Sequence, residues 1–206
     1  MSKVTVKCAP NESINWLKTS ADLEFIKSFQ TFTKSQNWRI VVYGGYGLDI
    51  LIGSITRTHN DVDLVIYGQD SCEDVRQKIT AFLSNLIQEA TLEVSENDFM
   101  VVIDLHSPGL GANIYYVQTS ENPFTNLNKI IKQSGETITN TEKRFPGPVD
   151  AVLNDIHIEV QNPHSHLADI LYKQRSLVNR QSHIQDIANL RQITDAARVD
   201  EILSLS

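Results

Sequence analysis

The strongest constraint on the fold is a strand–turn–helix–strand unit in the first third of the chain. Residues 38–43 are aromatic and β-branched, which predicts a strand, and Gly44 and Gly45 then turn the chain. Residues 46–52 predict a short helix, and residues 61–67 predict a second strand. A strand, a glycine turn, a helix and a strand in quick succession are typical of a sheet that is covered by helices.

Helical and strand patterns alternate along the rest of the chain. Apolar residues that recur at steps of three and four predict helices over residues 11–36, 72–89 and 164–206. Apolar runs bounded by turn signals predict further strands over residues 90–96, 99–105, 112–117 and 156–160. Residues 119–154 carry prolines and polar runs that assign them to neither class.

These elements predict the fold class and its division. Their order is that of a mixed α/β (α+β) protein, in which a mixed sheet is flanked by helices and followed by a C-terminal helical appendage. We expect a sheet domain over residues 1–160 and a helical region over residues 161–206. The strand that begins near Asp61 is apolar on both faces, so we expect it to lie inside the sheet.

Composition excludes several classes of protein. The 206 residues carry 18 Lys+Arg against 25 Asp+Glu, a net charge of -7, which argues against nucleic acid as a partner unless a basic cleft forms locally. The two cysteines form no CxxC or Cys/His cluster, which disfavours a zinc site and a disulfide framework. The sequence shows no signal peptide and no apolar run of about 18 residues, so we expect a cytoplasmic protein with no membrane partner.

Asp61 and Asp63 are the clearest candidates for chemistry. Residues two apart on a strand point to the same face, so the two carboxylates would lie side by side at the start of an inner strand. Two like charges there repel each other and resist desolvation, and a divalent cation between them would relieve both costs. Mg²⁺ suits the pair because it takes oxygen ligands and keeps positions for phosphate. The alternative is that both aspartates lie unused at a solvated strand end.

Gly44 and Gly45 give a second indication of the same chemistry. Without Cβ atoms they let a phosphate approach the backbone, and the following helix offers free N–H donors and a partial positive charge. The segment is neither a Walker P-loop nor a dinucleotide fingerprint, because no Gly-Lys-Ser/Thr follows and Ile50 stands where a third glycine belongs. A phosphate-binding turn beside a carboxylate pair favours metal-assisted nucleotide chemistry.

Residues 44–64 resemble the signature of the DNA polymerase β-like nucleotidyltransferase superfamily. The run starts with Gly-Gly-Tyr-Gly-Leu-Asp and ends with Thr-Arg-Thr-His-Asn-Asp-Val-Asp-Leu, and it is most similar to the aminoglycoside and lincosamide nucleotidyltransferases. The likeness is specific over residues 40–67 and weak or absent over residues 1–35 and 119–155. It implies a transferase of the antibiotic-resistance class, which moves a nucleoside monophosphate from an NTP, with ATP the expected donor, to a hydroxyl of a small molecule.

The resemblance also implies roles for single residues. The glycine pair would hold the nucleotide phosphates, and the aspartate pair would hold two Mg²⁺ ions. A third carboxylate, a metal ligand or general base, is assigned to Asp104 in its hydrophobic-acid-hydrophobic run. In the alternative alignment the third position falls on residues 112–117, where Asn113 and Tyr115 offer no acid and the base is missing.

Four further residues are implied to contact the nucleotide. Arg57 would lie near the phosphates or the carboxylates, or would form a structural salt bridge, for which Asp49 is the candidate partner. His59 would bind the nucleotide or only shape the loop before the strand. Lys173 and Arg180, seven apart on one predicted helix, would share a face and meet the triphosphate, or would belong to an ordinary solvated face.

The remaining interpretations differ in the molecule that accepts the nucleotide. An aminoglycoside is a polycation that would need acidic walls, for which Glu93, Glu96, Glu159 and the net negative charge are candidates. A protein or tRNA acceptor, as in toxin–antitoxin nucleotidyltransferases, would need a basic patch, whereas the basic residues are scattered. A catalytically inactive nucleotide-binding module is the third alternative, and it gains support if Asp104 faces away from the aspartate pair. A second copy of the chain is a further candidate partner.

Overall fold

A computed structural model describes residues 14–97, 100–119, 146–176 and 181–204. The helices of these ranges are α1 (Trp16–Ser35), α2 (Gly44–Ile52), α3 (Cys72–Leu86), α4 (Pro163–Ser176), α5 (Gln181–Leu190) and α6 (Ala196–Ser204). The strands are β1 (Arg39–Tyr43), β2 (Val62–Gly68), β3 (Thr91–Asn97), β4 (Met100–Ser107), β5 (Leu110–Gln118), β6 (Val149–Leu153) and β7 (Ile156–Val160). The predicted mixed α/β class is confirmed.

The strands form one mixed sheet in the order β3-β4-β5-β2-β1-β7-β6. Strand β2 runs antiparallel to β1 and parallel to β5, and β1 runs parallel to β7. The inner position predicted for β2 is confirmed, and its residues Leu64 and Val65, which point to opposite faces, are both fully buried. A strand with two apolar faces is stable only inside a sheet that is covered on both sides.

One face of the sheet packs against α1, α2 and α3. Phe25 and Phe29 of α1 and Ile79 of α3 share a core cluster with Val42 of β1 and Leu64 of β2. Each side chain of this size stabilises the fold by about 1.5–3 kcal/mol when it leaves water. These helices support the sheet from one side. The polar residues at the start of β2 lie on the opposite face of the sheet.

The C-terminal helices pack on α2. Leu48 of α2 is fully buried in a second cluster with Leu167 of α4, Leu190 of α5 and Val199 of α6. This packing brings α4 and α5 to the first turn of α2, next to the end of β1. The division of the chain into two regions at residue 160 stays a prediction. None of the helices in the described ranges has the length and apolar character needed to cross a bilayer.

The elements differ from the predicted ones at several boundaries. Helix α1 starts at Trp16, where the side chain of Asn15 accepts a hydrogen bond from the N–H of Lys18 and caps it. The helical C-terminal region consists of the three helices α4, α5 and α6 in the described residues. Strand β6 was not predicted, because it lies in the segment of prolines and polar runs that the sequence left unassigned; residues 120–145 of that segment lie outside the described residues.

Candidate active site

The two aspartates of the predicted cation site lie at the start of β2, beside Asn113 of β5. Nδ2 of Asn113 donates to Oδ1 of Asp63 at 2.9 Å and to Oδ2 of Asp61 at 3.3 Å. Asp63 is opposite Asn113 in the β2–β5 register, so backbone pairing sets the contact. Asp61 precedes the strand and is exposed, whereas Asp63 is partly buried. The sheet thus holds one amide against two carboxylates.

Asp104 lies one strand further from the pair. It is opposite Asn113 in the β4–β5 register, so Asn113 stands between Asp104 and Asp63 in one row across the sheet. Strands are about 4.7–4.9 Å apart, which separates the Cα atoms of Asp104 and Asp63 by roughly 10 Å. The described residues contain no group of three His, Cys, Asp or Glu side chains that could hold a metal ion. The structure therefore does not bring Asp104 to the aspartate pair, and Asn113 occupies the neighbouring position.

Gly44 and Gly45 form the first turn of α2, and side chains approach both of them closely. Gly44 has a φ of 63°, and a Cβ at this position would lie closer than 3.0 Å to Oδ2 of Asp63. A Cβ at Gly45 would overlap the ring of His59 in the same way. The two glycines therefore let a carboxylate and an imidazole reach a helix N-terminus whose free N–H groups and dipole favour an anion.

A buried carboxylate holds the loop between α2 and β2. Asp49 is fully buried, and its Oδ1 accepts from the backbone N and the Oγ1 of Thr56 at 3.1 and 2.6 Å. Its Oδ2 lies 2.6 Å from Nε2 of His59, whose ring also packs against Tyr46. These bonds fix both ends of the four-residue stretch that precedes Asn60 and Asp61. His59 lines the cleft beside Gly45, where it also shapes this loop.

Arg57 joins the same loop to the C-terminal helices. Its Nη2 donates to Oδ2 of Asp186 on α5 at 2.9 Å, and its Nε donates to Oδ1 at 3.4 Å. The Arg57 and Asp186 side chains are 16% and 5% exposed. Arg57 thus makes a salt bridge, but with Asp186 instead of Asp49, whose oxygens are bonded to Thr56 and His59. The guanidinium also lines the cleft.

Breaking this ion pair is expected to loosen the attachment of α5. Arg57→Ala would leave the Asp186 carboxylate buried and unpaired, and we expect the free energy of unfolding to fall by about 3 kcal/mol. Urea unfolding of the single variants and of Arg57→Ala with Asp186→Ala measures the coupling. The exposed pair of Arg198 and Glu201 is the control, where Arg198→Ala should cost about 1 kcal/mol or less. Additive losses at residues 57 and 186 would contradict the link.

Residues of the sheet, α2, the loop and the C-terminal helices line one cleft of about 560 Å³. The strands contribute Tyr43, Asp63, Asn113 and Tyr115. The chain after β7 contributes Gln161, His166, Asp169, Ile170, His183 and Asp186. A volume of this order suits a nucleotide or a drug-sized ligand.

The hydroxyl of Tyr43 stays protonated on the floor of this cleft. Its burial raises the pKa of Tyr43 well above the ordinary value, and the carboxylate of Asp63 and the hydroxyl of Tyr115 raise it further. Tyr43 is opposite Asp63 in the β1–β2 register. Tyr43 therefore contributes a neutral hydroxyl beside the aspartate pair, and no phenolate that could take up a proton at neutral pH.

No sequence pattern marked Gln161, His166, Asp169 or His183 as residues of the site. Their signal is weak: His166 and Asp169 are one helical turn apart on α4, a spacing that many surface helices share. Lys173 also lies in α4, seven residues after His166, and its side chain is outside the described part of the structure. Arg180 lies outside the described residues altogether.

Known proteins share this arrangement. The mixed sheet with an aspartate pair on an inner strand and a glycine turn opposite it is that of a nucleotidyltransferase. The family model for aminoglycoside-2''-adenylyltransferase matches residues 26–144, so the chain belongs to that family and is an adenylyltransferase-like enzyme. The resemblance drawn from residues 44–64 is thereby confirmed. No curated protein sequence matches the chain.

Three solved structures have a similar fold. ANT(2'')-Ia in complex with adenylyl-2''-tobramycin is 14% identical with a TM-score of 0.63, over 89% of this chain and 95% of that chain. The lincosamide antibiotic adenylyltransferase LnuA, lincomycin-bound, is 16% identical with a TM-score of 0.54, over 89% and 100% of the two chains. An antigenic nucleotidyltransferase-like protein from Paracoccidioides brasiliensis is 16% identical with a TM-score of 0.52, over 90% and 87%.

Proposed function

We propose that this enzyme transfers AMP from Mg²⁺-bound ATP to a hydroxyl group of an amine-bearing small molecule, such as an aminoglycoside. One observation carries the proposal: the first turn of α2, the aspartate pair and Asp169 of α4 line a single cleft. Family membership supports the reaction class. The solved complexes of ANT(2'')-Ia with adenylyl-2''-tobramycin and of LnuA with lincomycin support an antibiotic as the acceptor.

The charge of the cleft supports an acceptor that carries ammonium groups. Among the described lining residues there are four aspartates and one arginine. Arg57 is paired with Asp186, and Asp61 and Asp63 are assigned to the cation, so Asp169 of α4 is the acid of this lining that we assign to an ammonium group of the acceptor. Such a cleft attracts cations and disfavours a polyanionic acceptor such as tRNA.

The glutamates expected at the acceptor wall lie elsewhere. Glu159 pairs with Arg39, and Glu96 lies 2.9 Å from Nε of Arg76. Glu93 is exposed on β3, opposite Asp104. None of the three is among the residues that line the cleft in the described part of the chain. The described aspartates of the cleft lie at the start of β2 and on α4 and α5 instead, and the one on α5 is paired with Arg57.

Gln161 offers a neutral group for recognising the substrate. Its side chain lines the cleft and is 7% exposed, and its Oε1 has no hydrogen-bond partner among the described residues. A buried amide oxygen without a donor costs about 1–3 kcal/mol. If the side chain turned its Oε1 toward the cleft, a hydroxyl or amino group of a bound substrate could donate to it and remove this cost.

The aspartate pair fits the cation that a nucleoside triphosphate brings. Two carboxylates and the amide oxygen of Asn113 are the hard oxygen ligands that Mg²⁺ prefers. When bound there, Mg²⁺ supplies neutralisation of the charge on the triphosphate. The N–H groups of the α2 first turn bind the phosphates, and the bonds of Asp49 and Arg57 hold the loop that carries Asp61.

The transfer forms one bond and breaks one. The acceptor oxygen bonds to the α-phosphorus as the bond from that phosphorus to pyrophosphate breaks, and the hydroxyl proton leaves to a cleft carboxylate or to water. The residues of the cleft contribute orientation and a fixed electrostatic field, which supply most of the catalysis in phosphoryl and nucleotidyl transfer.

Incubation with α-phosphate-labelled ATP and Mg²⁺ tests the proposal. The enzyme is given separate aminoglycosides, separate lincosamides and tRNA, and products are resolved by chromatography and mass spectrometry. We expect the label on an aminoglycoside, as a product heavier by one AMP, with release of pyrophosphate. Label that appears on tRNA or on protein and on no drug would overturn the proposed acceptor.

A further inference from the structure

We propose that Asn113 makes this site a centre for one protein-bound divalent cation, and that a carboxylate at the same position would convert it into a centre for two. The proposal deepens the proposed function, because it concerns the cation of the same transfer site. The sequence led us to expect two Mg²⁺ ions held by three carboxylates. The two carboxylates and one amide that are in contact support one ion instead.

The position of Asn113 is that of a cation ligand. Its amide contacts Asp63 at 2.9 Å and Asp61 at 3.3 Å, so a cation held by both carboxylates lies within reach of residue 113. In the absence of a cation the Nδ2 group donates to both carboxylates, which lowers their mutual repulsion. A bound cation would require the amide to rotate and present its oxygen.

The charge at this position supports one cation and not two. Two carboxylates balance one divalent ion, and the neutral amide adds no charge. Two divalent ions at the separation of about 3.5–4 Å typical of two-metal sites repel with four times the energy of two unit charges. The other described acids nearby supply no third carboxylate beside the pair: Asp104 lies behind Asn113 in the sheet, Asp186 is paired with Arg57, and Asp169 lies on α4, outside the row of Asp63 and Asn113.

Titration with Mn²⁺ alone, followed by its electron paramagnetic resonance signal, tests the count without nucleotide or acceptor. We expect one bound Mn²⁺ per chain in the natural protein and none after Asp61→Asn with Asp63→Asn. Asn113→Asp is expected to bind the first ion on the order of tenfold more tightly and to take up a second. Because neither substrate is present, a failure of the transfer assay leaves this result standing.

A matched variant, Asn60→Asp, distinguishes the effect of where the charge is added from the effect of adding a charge. Asn60 is exposed at the edge of the same cleft, next to Asp61 in sequence. Asn60→Asp adds the same charge away from the row of Asp63 and Asn113, and it should tighten Mn²⁺ less than threefold, an estimate for an exposed and screened charge. Equal effects of Asn60→Asp and Asn113→Asp would overturn the proposal, as would two Mn²⁺ ions in the natural protein.

Two further measurements show whether misfolding of Asn113→Asp explains a negative result. Asn113→Asp places three carboxylates together, so its Tm should fall without cation and recover with Mn²⁺. Asn113→Ser removes the amide without adding charge and should still bind one Mn²⁺. Uptake of two ions by Asn113→Ser would show that the aspartates alone hold two, which contradicts the proposal even if Asn113→Asp does not fold.

Discussion

Replacing Asp63 by asparagine is expected to lower kcat for nucleotidyl transfer by roughly 10²–10³-fold or more, while Tm stays equal or rises. The carboxylate lies against the first turn of α2 on one side and against the amide of Asn113 on the other. Asp104 lies one strand beyond Asn113, so the proposed cation site would lose one of its two carboxylates. Stability should not suffer, because the change removes one of two neighbouring like charges.

The matched control for this variant is Asp104→Asn. Asp104 lies in the same row of the sheet, one strand beyond Asn113, and it is absent from the described lining of the cleft. Single-turnover transfer with labelled ATP should show this large decrease for Asp63→Asn and nearly unchanged activity for Asp104→Asn, and thermal unfolding checks that both variants are folded. A loss at Asp104 as large as that at Asp63 would make Asp104 the third carboxylate after all.

Replacing Gly44 by alanine is expected to damage both stability and transfer. The left-handed backbone at this position, φ 63°, costs a residue with a Cβ roughly 1–2 kcal/mol. The new methyl group would also overlap the carboxylate of Asp63 and push it from its place beside the helix. We expect transfer to fall on the order of a hundredfold, measured with labelled ATP, because a displacement of about 1 Å at a reacting site has this effect.

Gly109→Ala controls for the cost of placing a residue with a Cβ in the left-handed backbone conformation. Gly109 has a φ of 85°, and a Cβ added there would meet nothing within 4 Å. The two variants should therefore lose similar stability from the backbone in urea unfolding, and only Gly44→Ala should lose transfer. Equal activity in both variants would show that the contact between Gly44 and Asp63 has no functional role.

Local patterns predicted the centre of the site because its signals lie close together in the chain. The apolar runs of β1 and β2, the glycine turn and the aspartates are each visible within a few residues. The side-chain period of two then places Asp61 and Asp63 together without knowledge of the rest of the fold. The same pattern predicted that residues 61–67 form an inner strand of the sheet.

The third position could not be predicted, because it depends on which strand pairs with β2. Asp104 and Asn113 both lie in apolar strands, and both alignments were open. The β4–β5 hairpin pairs with β2 through its second strand, which puts Asn113 beside Asp63 and Asp104 one strand further away. Strand order is set by packing over the whole sheet, and no residue near position 104 or 113 encodes it.

The partner of Arg57 escaped prediction for a similar reason. Asp49 is near Arg57 in sequence and was the candidate partner, whereas the observed partner is Asp186, 129 positions away. The packing of α5 against α2 brings that carboxylate to the loop. Contacts between distant segments follow from how helices dock, which periodicity does not specify.

The close approach of Gly44 and Asp63 also has a thermodynamic consequence. One helix turn and one carboxylate share a surface there, so a phosphate on the turn and a cation on the carboxylate stabilise the same arrangement. By linkage, each ligand raises the affinity for the other by the same factor. If the proposed donor and cation are correct, we expect nucleotide and metal to bind cooperatively, and the saturation curve for ATP to shift with the concentration of free Mg²⁺.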